Sequence, residues 1–346
     1  MLQERSSLAA VFVFLAAFFI FTTAPARAES FPAIPAAEEG GIEASTDLEF
    51  QLSSEPATKL ILRQSFTFPF LAGSNPLTKD NNIKTVLAGE ITPVSLSGMG
   101  EVIWTPVAFF LLSGGGRAGS GWNISLGNGI GINAPEDKNA PFDPTTDDPR
   151  KNKLYGDAFD GLIWSAWGAG TLQFDLGAVL PGDWNHVLFQ TRQEFRYGAY
   201  TRAKAGEAWV FENDDMENQN GWKYYALYAL GYQMPKSPVL SRIALIAELT
   251  KPLYNTPAGL YGSQGGDFWG ESLGYWNFSS VFFLSFTPKL SSTLVFQMHT
   301  RRNHGTKNYD YSYVDYYYRD LELQKEGGQR RILFYRAAMI MNYKLR

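Results

Sequence analysis

Apolar and polar residues alternate with a period of two over long stretches of this chain, and few folds accommodate that pattern. Successive side chains of a β-strand point to opposite faces, so this alternation gives one apolar and one polar face. From Leu333 to Tyr343 every second residue is apolar, and the row between them carries Arg336 and Asn342. Ten stretches have this pattern, each long enough to cross a bilayer as a tilted strand: Lys59 to Phe70, Ile83 to Ser95, Glu101 to Ser113, Leu162 to Leu180, His186 to Tyr200, Trp222 to Gln233, Val239 to Lys251, Tyr275 to Thr287, Thr293 to Arg302 and Arg330 to Leu345.

The connections between these stretches alternate in length. Short links ("LSGMG", "PGDWN", "MPKSP", "PKLSS") separate long ones at 71–82, 114–161, 201–221, 252–274 and 303–329. Membrane barrels have this asymmetry, with short periplasmic turns and long extracellular loops. An even strand number also brings both chain ends to the periplasmic side.

These patterns predict an all-β fold, a single antiparallel transmembrane β-barrel of about ten strands. Eight and twelve strands are the alternatives, and a hairpin within Gly119 to Pro135 would raise the number to twelve. Aromatic residues near strand ends, such as Trp222 and Tyr232, suit the two headgroup zones of a bilayer. A soluble exported β-protein is the alternative from another class.

The N-terminus predicts export. An apolar run from Leu8 to Phe21 is too short to span a bilayer comfortably, and Ala26-Arg27-Ala28 supplies the cleavage pattern. We therefore predict a cleaved signal peptide over residues 1–28, with an uncleaved anchor as the alternative. A flexible periplasmic lead over 29–56 and a barrel over 57–346 follow. The chain has no cysteine, so disulfides do not stabilise it.

Most charged residues of the predicted strands fall on their polar face. An arginine facing lipid at the bilayer midplane costs about 2–4 kcal/mol, so these side chains are expected to face the lumen. The interior of a barrel of about ten strands is nearly filled by side chains. A narrow, charge-filled lumen is thus predicted, lined by Arg63, Lys84, Glu90, Asp175, Arg192, Glu194, Arg196, Lys223, Arg242, Glu248, His299, Arg301 and Arg336.

The final strand carries a resemblance to a known class. The alternation of Met339, Met341, Tyr343 and Leu345 is similar to the signal that the barrel-assembly machinery recognises, although that signal usually ends in an aromatic residue. With the loop pattern, the chain resembles bacterial outer-membrane β-barrel proteins over nearly all of its mature length. The resemblance implies the outer membrane of a diderm bacterium, with its lipid and the assembly machinery as partners.

Surface structure or adhesion is the first functional hypothesis. The predicted fifth long loop holds a tyrosine-dense segment, and tyrosine-rich surfaces bind partners at little entropic cost. Extracellular or host-surface ligands are the expected partners. The net charge of −4 argues against nucleic acid. The interaction candidates are Tyr309, Tyr311, Tyr313, Tyr316, Tyr317 and Tyr318. Alternatively, the loop forms a hairpin that extends the barrel, as Glu207 to Asn213 could also do.

Two other functions follow from the lumen and the rim. A narrow anion-preferring channel is the alternative, because inward cations outnumber inward acids. A rim-sited hydrolase or protease is least favoured, since His186, His299 and His304 are the chain's histidines and none belongs to a GxSxG or HExxH motif. We predict no catalytic residues, no metal site and no cofactor.

Overall fold

Twelve antiparallel strands close into a barrel. The computed structural model describes residues 41–54, 58–75, 77–125, 127–134, 153–180, 182–212, 218–235, 237–255, 257–258, 274–302 and 330–346. The prediction of an all-β antiparallel barrel is confirmed. The estimate of about ten strands is wrong, and the structure has one of the two alternatives, twelve.

The described residues form fifteen strands and one short 3₁₀ helix at Leu176–Ala178. No helix in this part of the chain is long and apolar enough to cross a membrane. The strands are β1 (Glu43–Ser53), β2 (Thr58–Pro69), β3 (Asn82–Thr92), β4 (Ser95–Val107), β5 (Phe110–Gly121), β6 (Ile130–Ala134), β7 (Lys153–Tyr155), β8 (Ile163–Asp175), β9 (Val187–Tyr200), β10 (Ala208–Phe211), β11 (Gly221–Gln233), β12 (Leu240–Pro252), β13 (Tyr275–Ser285), β14 (Leu290–Arg302) and β15 (Arg330–Lys344).

Each barrel strand pairs with its neighbours, and pairing of β1 with β15 closes the sheet. The order around the barrel is β1-β15-β14-β13-β12-β11-β9-β8-β5-β4-β3-β2. Asp47 lies opposite Lys344 in the closing pair. Strands β6, β7 and β10 stay outside the barrel wall and form a separate sheet in the order β10-β6-β7. Closure leaves no unpaired strand edge in the wall.

The two additional wall strands come from a segment that was predicted to be a flexible lead and from one predicted strand that divides into two. Strand β1 covers residues placed in the flexible lead, so the barrel begins at Glu43 rather than 57. The predicted strand Glu101 to Ser113 spans a tight turn at 108–109 and divides between β4 and β5. The predicted turn "LSGMG" lies inside β4. The hairpin considered within Gly119 to Pro135 does not add to the wall, because β6 belongs to the small sheet.

The barrel has a terminus end, where β1 begins and β15 ends, and a loop end opposite it. The connections 122–162, 201–220, 253–274 and 303–329 all leave from the loop end. The connection 70–81 was predicted to be external, but it joins β2 to β3 at the terminus end. This shift follows from β1, because an added strand before β2 reverses the side on which the next connection falls. The division of Glu101 to Ser113 into β4 and β5 adds a second strand, so the later long connections fall on the predicted side again.

Side chains alternate between the interior and the exterior as the period of two predicts. In β3, Val86, Ala88 and Glu90 are buried, whereas Leu87 and Ile91 are 52% and 48% exposed. Large exposed apolar side chains recur on the same outward row of the other wall strands. This distribution is the reverse of that in a water-soluble barrel, where the exterior is polar.

Strand β15 departs from the predicted alternation at one point. Its pairing with β14 shifts register beside Gln297, so that Arg336 pairs with Gln297 and Phe334 with Met298. Tyr335 was predicted to face outward, but it stacks on His299 with ring centroids 4.4 Å apart. Phe334 faces outward instead and is 63% exposed. A bulge inserts one extra residue and therefore exchanges the two faces on either side of it.

One inward glycine is required by packing, and this requirement is testable. A Cβ at Gly115 would lie 2.6 Å from both the Gly100 carbonyl oxygen and the Trp167 ring, whereas a Cβ at Gly89 has nothing within 4 Å. We expect Gly115→Ala to lower the thermal midpoint of the folded barrel in heat-modifiability gels, at a cost of about 1–3 kcal/mol. Gly89→Ala is the matched control and should leave the midpoint unchanged. Equal midpoints for the two variants would contradict this account.

Candidate functional site

The connection between β9 and β11 folds back over the barrel mouth. We call residues 201–220 the strap; the structure describes 201–212 and 218–220. Every residue of β10, which lies within the strap, is buried. Trp209 and Phe211 pack with Ile130, Ile163 and Tyr200 in an apolar cluster. This cluster fixes the strap against β6 and the loop end of the wall. Packing of Glu207 to Asn213 against a neighbouring loop was one of the two alternatives from sequence.

Glu212, at the end of β10, joins the strap to the part of the wall formed by β2 to β5. Its Oε2 lies 3.1 Å from Lys59 Nζ on β2. Its Oε1 lies 2.7 Å from Arg117 on β5 and accepts a 2.7 Å hydrogen bond from Ser95 on β4. In the strand order β5 is two places from β9 and β2 is five. These partners belong to the inward rows of their strands, so the end of the strap lies in the mouth of the lumen, over this part of the wall.

The same cations also contact a wall carboxylate. Glu90 Oε2 on β3 lies 3.4 Å from Lys59 Nζ and 2.6 Å from Arg117 Nη2. The Arg117 guanidinium and Glu90 both hydrogen-bond to the Ser97 hydroxyl. We call Lys59, Glu90, Ser95, Ser97, Arg117 and Glu212 the strap cluster. Its two cations and two carboxylates balance in charge, so the buried charges are compensated.

The strap cluster holds Glu212 in its ionised form and in an unusual backbone conformation. Arg117 and Lys59 keep the pKa of this carboxyl at about 2, against the opposing effect of burial and an ordinary value of 4.5. Its φ is 59°, in the left-handed region that costs a non-glycine residue about 1–2 kcal/mol. The ion pairs offset that cost, so the attachment is stable at neutral pH.

A second cluster lies at mid-height on the wall formed by β4, β8 and β9. Glu194 accepts from Arg192 at 2.8 Å and from Arg196 at 2.6 Å. Arg192 also reaches Glu101 on β4 at 3.2 Å, and the Trp167 indole donates to the same oxygen at 3.1 Å. We call these residues the central cluster. Glu194 is only 1% exposed, so its two arginines form its environment.

A third cluster lies on the wall from β11 to β15. Glu248 accepts a 2.5 Å hydrogen bond from the Tyr225 hydroxyl and a 3.4 Å one from the Gln297 amide. Arg336 Nε donates to Gln297 Oε1 at 3.0 Å, and Ser279 accepts from the same amide. Below it, towards the terminus end, the wall is apolar, with Leu227, Ala229, Ala244, Ile246, Val281 and Val295 packed together. Charge thus occupies the upper and central lumen.

Other predicted lumen residues are more peripheral. Asp175 lies at the terminus end, where its Oδ2 contacts His186 Nδ1 at 2.9 Å. Lys223 Nζ donates to Asn218 in the strap at 2.6 Å. The Arg242 guanidinium lies over the Phe283 ring at 5.5 Å. Arg63 Nη1 pairs with Glu49 Oε2 at 3.1 Å. Side-chain contacts of Arg301 lie outside the described part of the chain.

Lys84 differs from the other inward cations. The charged groups near enough to act on its ammonium group are Arg63, Asp47 and Glu101. Among the described residues, no carboxylate lies within ion-pairing distance of its ammonium group. Lys84 is thus a cation of the lumen lining on which carboxylates act only from beyond ion-pairing distance.

The histidines do not form a recognisable catalytic group in the described residues. His299 stacks on Tyr335, and His186 lies at the terminus end, remote from the predicted outer rim. His304 and all six predicted interaction tyrosines, Tyr309, Tyr311, Tyr313, Tyr316, Tyr317 and Tyr318, lie outside the described residues. No group of three or more potential metal ligands occurs in the described residues.

Sequence reasoning missed several residues of these clusters. Lys59 lies on the same face of its predicted strand as Arg63, so the period of two would have placed it in the lumen. The same pattern would have placed Glu101 on the polar face of its own predicted strand. Arg117 and Glu212 had no such signal, because both fell in segments predicted to be loops. Glu49 lay in the predicted lead.

The comparisons with known proteins give little further information. No protein-family model matches the chain, and no curated protein matches it. One solved structure, described as "KdgM porin", is similar over 86% of this chain and 98% of its own, with 9% identity and a TM-score of 0.34. A likeness at this score carries no argument about function. The closed barrel itself agrees with the class-level resemblance to outer-membrane β-barrels.

Proposed function

We propose that this protein is an outer-membrane channel for small anionic solutes, narrowed by its strap. The supporting observation is the distribution of charge, which lies inside a closed barrel of twelve strands while large apolar side chains cover the exterior. Such an exterior fits lipid, and such an interior fits water and ions.

The strand number favours a channel over a filled barrel. An interior of eight strands is just wide enough for side chains to fill, and the diameter grows roughly linearly with strand number. At ten strands the wall side chains would nearly fill the lumen; at twelve they leave more space. The strap occupies part of this space at the loop end. A path past the strap would therefore be narrow and would select by size and charge.

The charge balance of the lining favours anions. Among the described residues, nine inward cations face eight inward carboxylates. The cations are Lys59, Arg63, Lys84, Arg117, Arg192, Arg196, Lys223, Arg242 and Arg336, and the carboxylates are Asp47, Glu49, Glu90, Glu101, Asp175, Glu194, Glu212 and Glu248. Paired charges largely cancel at a distance. The surplus includes Lys84, and an anion passing it would meet a positive field.

Neutralising Lys84 tests both the channel and its preference. In planar bilayers under a KCl gradient, the native protein should give discrete current steps. The sign of the reversal potential should be that of an anion-selective pore. Lys84→Gln should move that potential towards zero, because it removes a cation that has no paired carboxylate. Lys79→Gln is the control, since this lysine is 63% exposed and lies outside the barrel wall. Silent membranes, or equal shifts in the two variants, would count against this function.

The adhesion hypothesis remains a prediction from sequence. Its tyrosines lie outside the described residues, so no geometry favours it over the channel. The absence of enzymatic function, with a hydrolase at the rim as the alternative, and cleavage of the signal peptide likewise remain predictions.

A further inference from the structure

The strap cluster uses the guanidinium group of Arg117 unevenly. The Nη2 nitrogen carries two N–H groups. It contacts three oxygens: Glu90 Oε2 at 2.6 Å, Glu212 Oε1 at 2.7 Å and Ser97 Oγ at 2.9 Å. The Nε nitrogen donates to the same Ser97 oxygen at 3.1 Å. The Nη1 nitrogen also carries two N–H groups, but it donates to no acceptor among the described residues. One edge of the guanidinium group is therefore crowded and the other is open.

The open nitrogen is accessible from the mouth of the lumen. The Arg117 side chain is 23% exposed, and no nitrogen of Arg117 is both buried and unsatisfied. Because Nη1 has no acceptor in the described part of the chain, it must be in contact with solvent. Lys59 and Glu212 are more enclosed, with side chains 7% and 6% exposed. Arg117 is thus the member of the cluster that an anion entering the lumen meets first.

The arginines of the central cluster bind their carboxylate more completely. Arg192 donates to Glu194 Oε2 through Nε and Nη2, at 3.1 and 2.8 Å. Arg196 contacts Glu194 Oε1 through Nε at 2.8 Å and through Nη2 at 2.6 Å. Each of these arginines uses two nitrogens for one carboxylate, whereas Arg117 gives Glu212 only Nη2. The contact between Arg117 and the strap therefore leaves room for a competing carboxylate.

The charges of the strap cluster fit a singly charged occupant. Without Glu212, the site would hold the positive charges of Lys59 and Arg117 and the negative charge of Glu90. The Ser95 hydroxyl would also lose its acceptor. A carboxylate restores both the charge and the acceptor. Doubly charged phosphate would bring a second negative charge next to Glu90, and chloride cannot span two nitrogens of a guanidinium group.

A competing anion can free Glu212 under conditions in which a proton cannot. The pKa of Glu212 is about 2, so this carboxyl stays ionised near neutral pH. A carboxylate that binds Nη1 and Nη2 of Arg117 together has the paired geometry that guanidinium groups prefer. Detachment would also let the backbone of Glu212 leave the left-handed region. Trp209 and Phe211 can stay packed in their apolar cluster, so only the end of the strap has to move.

We propose that the strap cluster is the carboxylate-binding site of this channel, and that Glu212 occupies it until the carboxylate of a solute displaces it. The solute first contacts Nη1 of Arg117, then takes over Nη2, and finally accepts from Lys59 and Ser95. Its solutes are accordingly small organic acids. The inference rests on the proposed channel function, but binding at this site can be measured without any current.

Hydrogen–deuterium exchange of the folded protein in detergent micelles tests the displacement. Sodium acetate is the probe, and sodium chloride of equal ionic strength is the reference. The Glu212 N–H donates to the Gly129 carbonyl oxygen at 3.1 Å, so its exchange reports detachment. With acetate at roughly ten times its dissociation constant, mass action should raise this exchange rate about tenfold. The Trp209 N–H, which donates to the Asn218 carbonyl oxygen, should exchange equally in both salts.

Arg117→Lys separates the paired geometry of the guanidinium group from its charge. Lysine keeps a positive charge near Glu212 but cannot bind a carboxylate through two nitrogens, so acetate should lose its effect on the Glu212 N–H. Arg202→Lys is the matched control. Arg202 lies in the strap, is 60% exposed and pairs with Asp160 outside the strap cluster, so this variant should respond to acetate like the native protein. Heat-modifiable gel mobility checks that each variant is folded.

Three outcomes would overturn the proposal. They are equal exchange of the native protein in acetate and chloride, a phosphate effect as large as that of acetate, and an unchanged acetate effect in Arg117→Lys. The channel is tested separately by bilayer recording. A barrel that conducts but shows no acetate effect keeps the channel and loses this site. An acetate effect in a barrel without conductance rejects the channel and leaves a carboxylate site alone.

Discussion

Replacing Glu212 by Gln is expected to free this end of the strap from the wall and to raise the single-channel conductance. The substitution removes the ion pairs with Lys59 and Arg117. It also leaves the Ser95 hydroxyl with a neutral amide as its acceptor instead of a carboxylate. Charge-assisted contacts of this kind contribute about 1.5–3 kcal/mol each, so we expect the attachment to weaken by about 3 kcal/mol. That change would raise the detached fraction of the strap by roughly a hundredfold. The measurement is current through single barrels in planar bilayers.

Glu207→Gln is the matched control for this experiment. Glu207 is also a buried glutamate of the strap, but its carboxylate accepts from the Lys204 backbone N–H within the strap, at 2.7 Å. It should leave the conductance unchanged. If Glu212→Gln conducts like the native barrel while remaining folded, the strap does not limit passage and this role for Glu212 is wrong.

The pH dependence of the strap follows from the same contacts. The pKa of Glu212 is about 2 in the folded protein, below its ordinary value of 4.5, so folding favours the ionised form. Its stabilising contribution is fully present above about pH 4.5 and is lost as the pH falls towards 2. The same recordings should therefore show a strap that stays attached between about pH 5 and pH 8. Mild acidification does not release it.

Glu194→Gln is expected to cause the largest loss of stability. Glu194 is 1% exposed, and its two carboxylate oxygens pair with Arg192 at 2.8 Å and Arg196 at 2.6 Å. Without it, two guanidinium groups inside the barrel lose their shared counter-charge. Breaking a buried pair by removing one partner costs about 3–5 kcal/mol. Urea unfolding in detergent micelles, followed by intrinsic fluorescence, should show this loss in the free energy of unfolding.

Two further variants separate loss of charge from loss of pairing. Glu43→Gln removes an exposed carboxylate at the start of β1 and should change the free energy of unfolding by less than about 0.5 kcal/mol. The double variant Glu194→Gln, Arg196→Gln should recover part of the loss, since it removes one of the two cations that share the charge of Glu194. If Glu194→Gln unfolds at the same urea concentration as Glu43→Gln, the central cluster is not a stabilising network.

Several elements could be predicted because their signal is local. The alternation from Trp222 to Gln233 is contained in the residues of one strand, and the structure places β11 at Gly221–Gln233. The parity that placed Arg192 and Glu194 on one face needed no knowledge of neighbouring strands. The same reasoning failed at Tyr335, where a bulge exchanges the faces of β15, because a bulge is a property of the pairing with β14.

Glu101 to Ser113 shows why strand number was harder to predict. The tight turn at 108–109 interrupts an apolar row without a glycine or proline at the turn itself, so periodicity alone continues through it. Strand β1 contains a regular row that the preceding Pro- and Glu-rich segment obscured. Its assignment depends on a partner almost three hundred residues away, as in the pairing of Asp47 with Lys344.

The amino-acid sequence by itself determined that the chain forms long amphipathic strands, and which side chains of each strand share a face, because both follow from a period of two within a segment. Only the tertiary structure decided that twelve strands close the barrel and that the strap enters the mouth of its lumen. Glu212 and Lys59 are 153 residues apart in the chain, and their contact exists only after the strands from β2 to β9 have paired into one curved sheet. A contact of that kind depends on the geometry of the whole sheet and leaves no periodic signal in either segment.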